Sequence, residues 1–116
     1  RAITYNSLIT GEHGEELDLS FVAEVDNQVI GFILARHAYF GESAVEVGMI
    51  QILGVDLDYR RRGIATQLID AFMAKCKAGG LNTVRAMINM NDSQLKGLFT
   101  HMHFRQGQLI DYVRDL

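Results

Sequence analysis

One cysteine, Cys76, is all that 116 residues contain. A single thiol excludes an internal disulfide and fits a reducing cytosol. No apolar run approaches the ~20 residues of a membrane-spanning helix, and no segment is laid out like a signal peptide. Excess positive charge is lacking too: 11 Lys and Arg against 14 Asp and Glu leave a net charge of −3. That argues against nucleic acid as a partner, because phosphate backbones are bound through surplus cations. The chain has no Gly-Lys pair, which removes the Walker phosphate loop. It also lacks the three spaced glycines of the dinucleotide fingerprint. Repeats, linkers and low-complexity stretches are absent. What remains is 48% hydrophobic and 22% charged, the profile of one cytoplasmic globular domain, large enough for a single core and small for an enzyme.

The most informative stretch runs from Val55 to Ile69. It leaves an apolar strand, crosses a turn holding Arg60, Arg61 and Arg62, and enters an amphipathic helix. Within it stands Arg60-x-x-Gly63-x-Ala65. A helix starting there aims unpaired N–H groups and the positive end of its dipole at whatever lies in front. Gly63 and Ala65 are small enough to let an anion approach the backbone, so a phosphate or pyrophosphate is the natural guest. The amides from Arg61 through Ile64 to Thr66 supply geometry, and the guanidinium groups supply charge. The Thr66 hydroxyl can serve the same anion or bond back to its own helix.

Patterning predicts a mixed α+β domain with the element order βββαβαββ. Leu19 to Val25 alternates and turns at Asp26-Asn27 into a second strand, Val29 to Ala38. Ser43 to Val55 is a long third strand, with Val45, Val47, Met49, Gln51, Leu53 and Val55 on one face if no bulge intervenes. Arg62 to Ala78 is helical, with Ala65, Leu68, Ile69, Phe72, Met73 and Cys76 on one stripe and Gly79-Gly80 as the stop. Leu81 to Met90 reads as a strand and Asp92 to His103 as a second helix, with Leu95, Leu98, Phe99 and Met102 inward. Phe104 to Leu116 reads as two short strands around Gln106-Gly107-Gln108. The sheet is expected to be mainly antiparallel with helices packed on it. Gly11 to Glu16 reads as a loop.

Other chemistry-bearing residues have plainer uses. Met73, Met87, Met90 and Met102 read as core filler, and Cys76 on the apolar stripe as inert packing. His101 and His103 stand two apart on a helix, do not share a face and lack ligand partners, so no metal site is expected. Asn91 with Gln94 resembles a capping box. Gly97 within a helix costs about 1 kcal/mol against Ala and implies either tight packing on the sheet or room for a ligand.

Residues 55–66 resemble the acyl-CoA-binding motif of the GNAT acetyltransferase superfamily, Gln/Arg-x-x-Gly-x-Gly/Ala, with Arg60, Gly63 and Ala65 at its defining positions. Leu53-Gly54-Val55 is similar to the strand whose backbone holds the pantetheine arm. Asp92 to Phe104 is similar to a second signature that begins with Asn, has an aromatic seven residues on and ends in Gly-Phe. Asp92 (or Asn91) stands for the Asn, Phe99 for the aromatic and His103 for the Gly. The resemblance implies a single domain over 1–116 whose cofactor half spans about 43–104, with N-terminal strand and helix elements trimmed. It also implies acetyl-CoA as co-substrate without a metal, an amine acceptor, and compatibility with a homodimer. The family's chemistry would place the amide of Leu53 or Val55 against the thioester oxygen. The aromatic position that donates a proton in many members is Phe99 here, without a hydroxyl. Glu46 and His37 are candidate bases, Gln51 is not one, and Tyr39, Tyr59 and Tyr112 are not placed by any motif. Two further readings stay open: a non-catalytic acyl-CoA-binding module, and another anion-binding domain such as one for a nucleotide.

Overall fold

The computed structural model describes residues 1–8 and 18–116. Five strands form one sheet in the sequential order β1 (Thr4–Ser7), β2 (Phe21–Val25), β3 (Gln28–Phe40), β4 (Val45–Val55) and β5 (Val84–Ala86). The first four are antiparallel neighbours, and β5 joins β4 in parallel. A parallel neighbour needs a crossover, and α1 (Ile64–Ala78) provides it. A second helix, α2 (Ser93–His101), follows β5. This is the mixed α+β, mainly antiparallel architecture that the patterning predicts.

Asp26 and Asn27 both have positive φ, 52° and 62°, and close the β2–β3 hairpin. That is the handedness a two-residue turn needs to match the twist of its strands. The α1 stripe buries Ile64, Leu68, Ile69, Phe72 and Cys76 on the sheet. Gly48 makes room for it: a Cβ there would stand 2.5 Å from Cys76 Sγ and 3.1 Å from the Phe72 ring. Ser20, wholly buried, stands in for a missing rung. Its hydroxyl accepts from the Ala35 N–H at 2.8 Å and donates to the Ala35 carbonyl at 3.1 Å.

A β-bulge interrupts the face expected along β4. Leu34 pairs with Ile52 but Ala35 pairs with Ile50, leaving Gln51 as the extra residue. Side chains alternate along a strand, so one extra residue exchanges the two faces. Gly48 and Ile50 face α1 before the bulge, and Leu53 and Val55 do so after it, opposite Ile33 and Gly31. Val45, Val47 and Met49 point to the other face. The one-face expectation fails because a bulge does intervene.

Two further differences concern the ends. A strand does precede the hairpin: Thr4–Ser7 pairs with Phe21–Glu24. Conversely, residues 104–116 form no strand, and Leu109, Ile110, Tyr112, Val113 and Leu116 are exposed. Apolar content qualifies a segment for a sheet without placing it there: the open sheet ends at β5, and this segment does not pair with it. β5 is also shorter than Leu81 to Met90. The expected loop Gly11 to Glu16 lies outside the described residues.

Candidate functional site

The site begins where β4 and β5 part. Their pairing covers Gly48–Val84, Met49–Arg85 and Ile50–Ala86 and then ends, next to the Gln51 bulge. Gly48 N–H still bonds across to Thr83 at 3.1 Å, whereas Asp56 N–H turns the other way, to the Ile30 carbonyl at 2.7 Å. Backbone groups of successive residues point to opposite edges of a strand. Leu53 and Val55 therefore direct their N–H and C=O groups away from β3, into the space that β5 has left. Arg60 Nε reaches the Val55 carbonyl there at 3.3 Å.

The chain then makes a 3-10 turn, Leu57–Tyr59, whose first N–H groups are capped by Asp56; its carboxylate accepts from Asp58 N–H at 2.9 Å. Two left-handed residues follow, Arg61 at φ 63° and Gly63 at φ 76°. Alternating handedness turns successive N–H groups to one side, the geometry of an anion nest. Gly63 is the N-cap of α1 and brings no side-chain cap, and the first helical bond runs from Gln67 N–H to Gly63 carbonyl at 3.0 Å. The amides of Ile64, Ala65 and Thr66 thus precede the first intrahelical partner. Gly63 itself is uncrowded, since a Cβ there would meet nothing within 4 Å. The helix starts at Ile64 rather than Arg62. Ile64 itself is buried, so its side chain belongs to the core and only its amide faces the nest.

The three arginines divide their work. Arg60 holds the Val55 carbonyl, Arg62 lies over the Tyr59 ring at 5.0 Å, and Arg61 stands exposed at the corner. A polyphosphate in the nest would meet amides in front and guanidinium groups at the side, a fit in both charge and shape.

The second signature lands differently. Asp92, not Asn91, caps α2, accepting from Leu95 N–H at 3.0 Å. Asn91 directs its own N–H to the Asn89 side chain at 2.8 Å, so the expected Asn91–Gln94 box does not form. Either residue can cap, and the one directly before the first helical turn wins. Both border an open cleft of about 450 Å³ with Asn89, Ser93 and Gln94. Phe99 is buried and meets Phe104 edge-on, ring centroids 4.9 Å apart. Gly97 is not held by tight packing, because a Cβ there would also meet nothing within 4 Å.

The candidate bases are elsewhere. His37 lies between Glu46 (Nδ1 to Oε1, 2.9 Å) and Asp18 (Nε2 to Oδ2, 3.3 Å). His37 pairs with Gly48, four residues along β3 from Ile33, which stands opposite Leu53. At about 3.3 Å per residue this is roughly 13 Å along the strand from the level of Leu53. The three side chains hold one another rather than facing the gap. Cys76 nearby is pushed up to about 11 by burial and then by the Asp18 charge, so its thiol stays protonated and unreactive. Tyr39 and Tyr112 are exposed and Tyr59 underlies Arg62. Among the described residues no cluster of three His, Cys, Asp or Glu could hold a metal, and no helix is long and apolar enough to cross a membrane.

Sequence patterns alone do not reveal the bulge. Gln51, the one polar residue between Val47 and Val55, is its only trace.

Residues 3–104 match the model of the acetyltransferase (GNAT) family. The chain belongs to that family. Among curated members, an N-alpha-acetyltransferase of Saccharolobus solfataricus is 41% identical over 73 residues, 57% of this chain and 44% of that protein. An acetyltransferase of Pectobacterium atrosepticum is 30% identical over 99 residues, 85% of this chain and 66% of its own length. The chain thus spans less than two thirds of these relatives. Among solved GNAT structures, an aminoglycoside N-acetyltransferase in complex with CoA superposes with a TM-score of 0.78 at 19% identity, covering 99% of both chains. A ribosomal-protein-alanine N-acetyltransferase from Brucella melitensis biovar Abortus 2308 gives 0.77 at 17% identity, covering 99% of this chain and 100% of that one. At such identities the likeness concerns the fold, and the GNAT fold is the one described above.

Proposed function

We propose that this chain is an N-acetyltransferase domain that moves an acetyl group from acetyl-CoA to a primary amine: a small molecule, a peptide N-terminus or a lysine. One observation carries the reading. Arg60, at the edge of the arginine turn, reaches the Val55 carbonyl at 3.3 Å, beside the β4 backbone that β5 leaves unpaired, which supports one extended ligand touching both the nest and that backbone.

The chain's own groups account for most of the chemistry. The nest holds the pyrophosphate, and β4 backbone beyond the bulge lies alongside the pantetheine arm. The N–H of Leu53 or Val55 faces the thioester oxygen, where negative charge grows as the amine attacks. A C–N bond forms, the C–S bond breaks, and the electron pair leaves with the sulfur. The proton lost by nitrogen passes to solvent, since His37 and Glu46 are engaged with each other. A thiol with an ordinary pKa of about 8.5 leaves without a strong acid beside it. Positioning therefore supplies the main share of the rate. The reading includes a cytoplasmic location and is compatible with a homodimer.

The second reading, an acyl-CoA-binding module without turnover, is favoured by Phe99, which brings a hydrocarbon ring to the family's tyrosine position. The test is a melting-temperature screen with acetyl-CoA, CoA, ATP and NAD, followed by thiol release over an amine panel. CoA species at ~100 times their dissociation constant add about 2.7 kcal/mol, and ATP and NAD do little. No shift with CoA species removes both readings, and a shift without thiol release leaves only the module.

A further inference from the structure

The face of the sheet opposite α1 carries a second polar feature, and it lies next to the gap. Arg36, Met49 and Arg85 form one cross-strand row: Arg36 pairs with Met49 between β3 and β4, and Met49 with Arg85 between β4 and β5. Directly paired residues share a face, so both arginines flank Met49 on the side away from α1. With strands about 4.8 Å apart, their Cα atoms are separated by roughly 10 Å, so a small ligand over Met49 would lie between the two residues. Met49 is buried and floors a groove of about 410 Å³ whose lining includes Arg36, Phe40, Gln51 and Met87. This groove therefore runs to the bulge, where β4 and β5 part.

Arg36 lines this groove, and Arg85 is the register neighbour of its floor, Met49. Among the described residues, no carboxylate lies within ion-pair distance of Arg36 or Arg85. Arg85 is stacked at 4.5 Å over the Phe40 ring, which fixes its plane. Its Nε is buried and has no hydrogen-bond partner among the described residues. The tail bounds this side, since a Cβ on Gly107 would come within 3.1 Å of Arg85 Nη1. A guanidinium held in plane and without a carboxylate among the described residues suits an acidic ligand, and a carboxylate matches its fork best.

We propose that the Arg36–Met49–Arg85 row is the acceptor subsite and that it selects primary amines carrying a carboxylate, with an amino acid as the fitting size. The inference rests on the acetyl-transfer reading for its chemistry, but the row can be tested without turnover. A groove of this volume suits a small molecule. Its two cations oppose a polycationic acceptor, although aminoglycoside acetyltransferases share the fold.

The experiment compares a panel of free amino acids with their C-terminal amides, one peptide with an acidic second residue, and one aminoglycoside. Thiol release gives kcat/KM, and calorimetry on the CoA complex gives Kd for the same amines. The parent should prefer the best acid over its matched amide by tenfold or more in both readouts. In Arg36→Gln and Arg85→Gln that ratio should fall to near one, and Arg36→Lys should retain part of it. The melting shift with CoA shows that each variant is folded; should Arg85→Gln not fold, Arg36→Gln, at an exposed position, carries the test. Preference for the acidic peptide over every free acid would keep the carboxylate and assign it to a peptide. Equal affinity for acids and amides in the parent, or preference for the aminoglycoside, overturns the proposal. Acid-selective binding without thiol release overturns the acetyl-transfer reading and leaves the carboxylate site standing.

Discussion

Gly48 on β4 backs directly onto Cys76 of α1, with no space for even a methyl group between them. The helix that presents the anion nest at its N-terminus is seated by this contact near its other end. Gly48→Ala should therefore destabilise the fold by roughly 1–3 kcal/mol, the usual cost of overpacking. Adding Cys76→Ala should recover part of that loss. Urea unfolding of the two single variants and the double variant measures it, and additive losses would show that the contact is not the cause.

The same thiol sets an alkaline limit. Its folded pKa is about 11 against an ordinary 9.0, raised by burial first and by Asp18 second. The folded state thus holds the proton more tightly, and the resulting stability is complete below pH 9 and lost as pH climbs toward 11. Between those values stability should fall by at most about 1.4 kcal/mol per pH unit. Cys76→Ala should flatten this part of the profile. A slope unchanged by that substitution would assign it to other groups.

At the nest, conformation and charge can be separated. A side chain on Gly63 meets no protein atom, but its φ of 76° strains any β-branched residue. Gly63→Val should cost roughly 1–3 kcal/mol of stability and nearly abolish CoA binding. Arg61→Ala should leave stability unchanged, weaken CoA binding less, and reduce its salt dependence, as for a screened contact. Titrations with CoA at two salt concentrations, with unfolding run alongside, check both. Parent-like binding by both variants would move the pyrophosphate elsewhere.

Phe99 separates packing from proton transfer. Phe99→Ala should cost roughly 3–5 kcal/mol, because the ring is buried against Phe104. Phe99→Tyr should change turnover little if the thiolate leaves unaided. A gain approaching 10²-fold, the lower range for general-acid help, would mean that the parent lacks a needed donor. Thiol release by both variants over one amine panel decides it.

Local features were legible in the residues. The α1 stripe, its Gly79-Gly80 stop and the Asp26-Asn27 hairpin each depend on neighbours a few positions apart, and so does the Arg60–Ala65 turn. Features that depend on distant partners were not. Thr4–Ser7 shows its alternation only through Ile3 and Tyr5, too short a pattern to announce a strand, and Leu109 to Leu116 has the apolar content yet joins neither edge of the sheet. Asn91 and Asp92 are both capable caps, and only the start of α2 separates them. The gap itself is set by where parallel pairing stops, and the acceptor face by one extra residue at Gln51. Neither position is written in any motif.

Beside the packing of Phe99 in the core, strand pairing ties residues 84–116 to the sheet through three residue pairs, Gly48–Val84 to Ile50–Ala86. A ligand lying in the gap would act as further stitching, continuing the seam past the bulge with contacts to both sides. Bound CoA would then have a mechanical role beside its chemical one, helping to fasten the C-terminal part of the chain to the rest. Protection of the β5 amides against hydrogen exchange becomes a direct gauge of occupancy.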